Sequence, residues 1–226
     1  MGKEFISFLS ELIITVPIIL LALTFHEFAH GFIAYKLGDP TAKLCGRLTL
    51  NPLKHLDPIG TICMIFAHFG WARPVPIDIS NFKNSKRDLA LSALAGPVAN
   101  LLLAFFGCFF FVIAKNNLPL VYKSEVVFTL AKMLYTFLFY FVWLNISLAI
   151  FNFLPIPPLD GSKILYAFLP PRANTWCKMH EREIGLIFMF VLIADSRFLG
   201  GMITGVLSSA VDAFFNLFTS IFDLFL

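Results

Sequence analysis

Apolar residues fall in long unbroken runs along this chain, not in the short alternations of a water-soluble fold. From Ser10 to Leu37 the residues are helix-compatible and mostly apolar, with Pro17 inside the run and Gly38-Asp39-Pro40 closing it as a helix stop. Leu89 to Ala114 forms a second run and Val126 to Leu154 a third, each with few polar residues, among them Asn100, Lys132 and Asn145. All three exceed the roughly 18 residues that separate a membrane span from a buried core helix. Ile184 to Ala194 is apolar but short, Asp195-Ser196-Arg197 interrupts it, and Phe198 to Leu226 resumes with Asp212 and Asp223. The expected spans are therefore about 10–37, 89–114, 126–154 and 184–222, the last interrupted near 195–197 and followed by an interfacial tail.

Two lesser elements are predicted between the first and second spans. Ile59 to Trp71 has the length of a re-entrant segment rather than a crossing. Ala42 to Leu50 partly alternates apolar and polar, which predicts a short membrane-associated β element; the alternative is an interfacial loop. The fold class expected is an all-α polytopic membrane protein of about four transmembrane helices, in one domain covering 1–226. The first run lacks the basic n-region and small-residue cleavage site of a signal peptide and is expected to be retained.

Composition agrees. The chain is 58% hydrophobic with a mean hydropathy of +0.82 and only 14% charged residues, against roughly 25% in soluble domains. A net charge of +3 with scattered basic residues is too small to imply nucleic acid, and none is expected as a partner. Lys and Arg number eight between Lys36 and Arg87, three between Lys115 and Lys132, and five between Lys163 and Arg197. The first and third groups are then cytoplasmic and the N-terminus outside, in a multi-pass cell-membrane protein. Cys45, Cys63, Cys108 and Cys177 show no C-x-x-C spacing and read as packing residues.

The chemistry sits in His26-Glu27-Phe28-Ala29-His30. Histidines four apart share one helix face, and the glutamate beside them is placed to act on a metal-bound water, which is a zinc-hydrolase signature. Three ionisable residues within five positions of a span are expensive without a functional partner; the bland reading is a polar trio hydrogen-bonded inside the bundle. A catalytic zinc takes three protein ligands, so a third donor is needed. Asp160, after the proline-rich exit Pro155-Ile156-Pro157-Pro158 from the third span, is the candidate; its alternative is a helix N-cap. His26 to His30 lie seven to eleven residues before Leu37, about 10–16 Å from the end of the first span, and the third span ends at the same leaflet, so the two segments can meet.

These residues, with Asn51-Pro52-Leu53-Lys54-His55-Leu56-Asp57-Pro58-Ile59-Gly60, Gly70-Trp71-Ala72-Arg73-Pro74-Val75-Pro76, Gly96-Pro97-Val98-Ala99-Asn100 and Asn152 through Gly161, resemble the site-2 protease family of intramembrane metalloproteases in its short form without PDZ or CBS domains. The resemblance implies one Zn²⁺ per chain held by His26, His30 and Asp160, with Glu27 as catalytic base and Asn152 in contact with the substrate or the oxyanion. It implies hydrolysis of peptide bonds in or near the transmembrane segments of single-span or signal-peptide-like membrane proteins. His55 and Asp57 read either as rival ligands or transition-state aids or as turn chemistry, the turn being favoured for Asp57. His68 and His180 have no partners by spacing, and Gly96-Pro97, Asn100 and Asn145 read as close helix packing. The Ala42–Leu50 strand would capture an extended substrate by edge pairing. An intramembrane metal-ion transporter and a non-catalytic binder of membrane proteins are the rival functions.

Overall fold

A computed structural model describes residues 2–67, 70–118, 124–198 and 200–226. Nine α-helices are present among them: α1 (Gly2–Lys36), α2 (Thr41–Leu44), α3 (Pro58–Ala67), α4 (Ser85–Asn117), α5 (Glu125–Phe153), α6 (Asp160–Phe168), α7 (Pro171–Met179), α8 (Glu181–Phe198) and α9 (Met202–Asp223). Four stretches are long and apolar enough to cross a membrane: Glu11–Lys36, Ser85–Asn117, Glu125–Phe153 and Met202–Asp223. α4 is central, packing on α1, α5, α6 and α9. Cys108, Phe111 and Val112 of α4, Val142 and Ile146 of α5 and Val211 of α9 form one apolar core. Outside it, Ile13, Leu102, Phe106, Leu130 and Val206 stand exposed. Such a belt would be an aggregation surface in water and is ordinary against lipid.

The first three spans lie where the hydrophobic runs place them. The fourth differs, because Asp195-Ser196-Arg197 does not interrupt a helix. α8 runs through them, and the chain turns after Phe198, with Gly200 and Gly201 at positive φ. The reason is the job of Asp195: its buried carboxylate accepts the Ile203 and Thr204 amides of α9 at 3.1 and 3.0 Å and the Thr204 hydroxyl at 3.0 Å. An acidic residue that looks like a span breaker is the cap of the next helix, supplied from the previous one.

No strand forms among the described residues, so the β element expected over Ala42–Leu50 is a correction. Thr41–Leu44 is a helical turn, and Gly46 (φ 62°) reverses the chain behind it. Fully buried Asp39 decides this locally, accepting the Thr41 amide (3.0 Å) and hydroxyl. Asp39 also accepts Asn81 Nδ2 and the Asp78 amide, both at 2.8 Å, which anchors the extended segment 72–78 over the end of α1. α3 is followed by a return of the chain in which Ala72 bridges Leu56 and the Arg73 amide donates to His55 O at 2.8 Å.

Candidate metal centre

Three helices bring the site together at one end of the bundle. α1 is helical through both histidines, so His26 and His30 fall one turn apart on the face turned to α4. α6 begins at Asp160 and packs against α4. Gly161 makes the placement possible, because a Cβ there would run into the backbone carbonyls of Phe153 and Leu154 at the end of α5. The three side chains are buried, at 6%, 7% and 5% exposure. His26 Nε2 lies 3.0 Å and His30 Nε2 3.1 Å from one oxygen, Asp160 Oδ2.

The hydrogen bonds behind these groups settle which atoms hold protons. His30 Nδ1 lies 2.7 Å from the Ser92 carbonyl, which can only accept, so Nδ1 carries the hydrogen. Asn100 Nδ2 donates to Ala22 O (3.2 Å) and to Asn145 Oδ1 (2.9 Å), so Asn100 Oδ1 accepts from His26 Nδ1 at 2.6 Å. Asn145 is oriented in turn by its own donation to Phe141 O at 2.8 Å. In their neutral form both imidazoles therefore aim bare Nε2 lone pairs at a carboxylate oxygen. That form repels itself unless a metal ion sits among the three atoms or Nε2 gains a proton to donate to Asp160. Donors bonded to a tetrahedral zinc at about 2.0–2.1 Å would stand about 3.3 Å apart, close to the spacings found. The donor set, two imidazoles and one carboxylate, is also that of catalytic zinc.

Gly96 supplies the room. A Cβ at that position would fall 2.6 Å from His26 Nε2 and onto His30 Nε2. The close packing expected of Gly96 is thus against the imidazoles themselves. Ser92, Gly96 and Asn100, spaced by four, form one stripe of α4 that faces the pair: carbonyl acceptor, gap and amide. Asn100 is the residue sequence reasoning undervalued; its spacing from Gly96 and its place in an apolar span were the available signal. Removal of an acceptor behind a metal-bound histidine weakens metal binding by roughly 10- to 100-fold. Asn100→Ala is expected to lose zinc affinity in that range in competition with a chromophoric chelator, and unchanged affinity would refute its orienting role.

Glu27 lies half-buried beside the tripod, and its Oε2 accepts the Val75 amide at 2.8 Å. Arg47 holds the same segment, donating from one guanidinium nitrogen to Arg73 O at 2.6 Å and Pro74 O at 3.3 Å. Lys163 Nζ binds the other Asp160 oxygen, Oδ1, at 3.1 Å, leaving Oδ2 to the histidines.

The remaining expected residues lie elsewhere. His55 is 1% exposed, but Nε2 donates to Thr49 O at 2.8 Å, so it pins the 49–57 turn and is not brought to the tripod. Asp57 accepts the Gly60 amide at 2.8 Å, the turn role expected of it. Asn152, half-buried near the end of α5, donates to Leu148 O at 2.9 Å and makes no hydrogen bond to the tripod. His180 stacks on Trp176 and donates to its carbonyl, and His68 lies outside the described residues.

Four helices long and apolar enough to cross a membrane, and a His–His–carboxylate tripod with a glutamate next to the first histidine, define a polytopic membrane protein carrying the donor set of a zinc hydrolase. The chain belongs to Peptidase family M50, the site-2 protease family, whose profile matches residues 14–194. It is 38% identical over 218 residues to "Putative zinc metalloprotease YwhC" of Bacillus subtilis (strain 168), covering 96% of this chain and 95% of that protein. It is 30% identical over 192 residues to "Putative zinc metalloprotease Rip2" of Mycolicibacterium smegmatis, covering 83% of this chain and 69% of that one. No solved structure matches the chain.

Proposed function

We propose that the protein is an intramembrane zinc endopeptidase that cleaves single-span or signal-peptide-like membrane proteins within or beside their transmembrane segments. The observation that carries this reading is the convergence of two Nε2 lone pairs and Asp160 Oδ2 on one buried point with Glu27 alongside. His26, His30 and Asp160 would hold one zinc per chain. Bound there, zinc supplies Lewis-acid polarisation of the scissile carbonyl and acidifies a water.

Glu27 takes the proton of the attacking water and passes it to the departing amine. Asn100 and Ser92 hold the imidazoles in the tautomer that leaves Nε2 free. Asn152 supplies a polar contact to the substrate backbone or the oxyanion. The α3 hairpin re-enters the bilayer, and the site faces the cytoplasmic leaflet of the cell membrane, with the N-terminus outside. With no strand over Ala42–Leu50, edge pairing of substrate is not assigned to that segment.

The test is cleavage mapping by mass spectrometry on a panel of single-span substrates, with zinc-loaded and chelator-stripped protein. Zinc-dependent cuts inside or next to the spans are expected. Intact substrates beside zinc flux into proteoliposomes would make the protein a transporter, and intact substrates held in a stable complex would make it a binder.

A further inference from the structure

A small cavity of about 60 Å³, with largely apolar walls, opens where α4, α6 and α7 meet. Lysines from all three helices line it: Lys86, Lys163 and Lys178. Lys163 is bonded to Asp160, whereas Lys86 and Lys178 have no carboxylate partner among the described residues. Asp88, close by on α4, is already committed to Arg87 and to the Asn84 amide.

The same wall holds Tyr166, 5% exposed, whose hydroxyl faces Ser162 without a hydrogen bond of full geometry. Asn174 Oδ1, also on this wall, is buried without one, and Asn174 Nδ2 makes only a 3.3 Å bond to Tyr166 O. Leaving a buried hydroxyl unpaired costs about 1–3 kcal/mol, and native folds rarely accept that. The cavity is several times the ~10–15 Å³ of such space that a single water needs. Lys86 and Lys178 are exposed, so their ammonium groups are free to swing over the mouth of the cavity.

We propose that this cavity binds a phosphate-class anion, held by Lys86 and Lys178 with Tyr166 donating its hydroxyl. The place favours a phospholipid headgroup as the source, because Lys86 is the second residue of a candidate span and basic pockets at span ends collect anionic headgroups. Free phosphate offers the same oxygens. The proposal does not depend on proteolysis, and Lys163 is left untouched in its test because it is bonded to Asp160.

Full-length protein is reconstituted in phosphatidylcholine nanodiscs with and without phosphatidylglycerol. Native mass spectrometry counts retained phosphatidylglycerol, and calorimetry in the pure phosphatidylcholine discs titrates inorganic phosphate. Lys86→Ala/Lys178→Ala should weaken whichever anion binds by roughly 30-fold, while Lys86→Arg/Lys178→Arg should keep it. Tyr166→Phe should weaken it less. Retention of lipid alone identifies a headgroup site, and binding of phosphate alone a free-anion site. Equal retention by wild type and the double alanine variant, together with no phosphate binding, overturns the proposal. Should the double variant misfold, Lys178→Ala alone, at an exposed position, separates the same outcomes.

Discussion

Glu27→Gln is expected to bind zinc as the wild type does and to cleave substrate roughly 10²- to 10⁴-fold more slowly, the usual contribution of a positioned general base. The substitution is nearly isosteric. The Gln carbonyl oxygen can still accept the Val75 amide that Glu27 Oε2 accepts at 2.8 Å, so the 72–78 segment keeps its anchor. None of the tripod atoms is altered. What disappears is the capacity to take a proton and return it to the leaving amine. Parallel zinc quantification and cleavage assays on one preparation separate the two effects. Cleavage at the wild-type rate would remove Glu27 from the chemistry, and loss of zinc would show that it supports the metal instead.

Asp160→Asn has the other large expected effect, and here the metal itself should go. An amide oxygen is a poor zinc ligand beside a carboxylate, and two imidazoles alone fall short of the three protein donors of a catalytic site. Zinc affinity should fall by more than the roughly 10- to 100-fold expected for Asn100→Ala, where only a group behind a ligand is lost. Activity should vanish with it. The variant also strands Lys163, whose ammonium now binds Asp160 Oδ1 at 3.1 Å. Zinc content near one per chain after dialysis against a weak chelator would exclude Asp160 as a ligand.

The contrast between these residues explains what could be read from the chain beforehand. His26, Glu27 and His30 announce themselves because ionisable groups inside an apolar run are costly, and Asp160 follows from the arithmetic of ligation. Three of the four spans were legible for the same reason, since bilayer thickness imposes a minimum length of apolar residues. The failures share a cause. Asp195 looked like a break because its partners, the amides of Ile203 and Thr204, are on the next helix. Ala42–Leu50 looked like a strand because Asp39 and Gly46, which impose the turn, lie at its edge and in its middle. Asn100 passed as a packing residue because an amide shows no preference until the groups around it are known. Ser92 acts through its backbone carbonyl as well as its hydroxyl, and the carbonyl leaves no trace in residue identity.

The buried amide ladder has a mechanical side. Ala22 O on α1, Asn100 on α4, and Asn145 and Phe141 O on α5 are linked in one unbroken chain of donors and acceptors. Parting any two of these helices would strand buried amide groups, at about 1–3 kcal/mol each. α9 meets α5 mainly through apolar contacts and beside a cavity of about 300 Å³ lined by residues such as Trp143, Leu207 and Val211. Sliding at that seam breaks no such ladder. The trio of ligand candidates is clamped like a vice, and the cheapest place for the bundle to part is along α9.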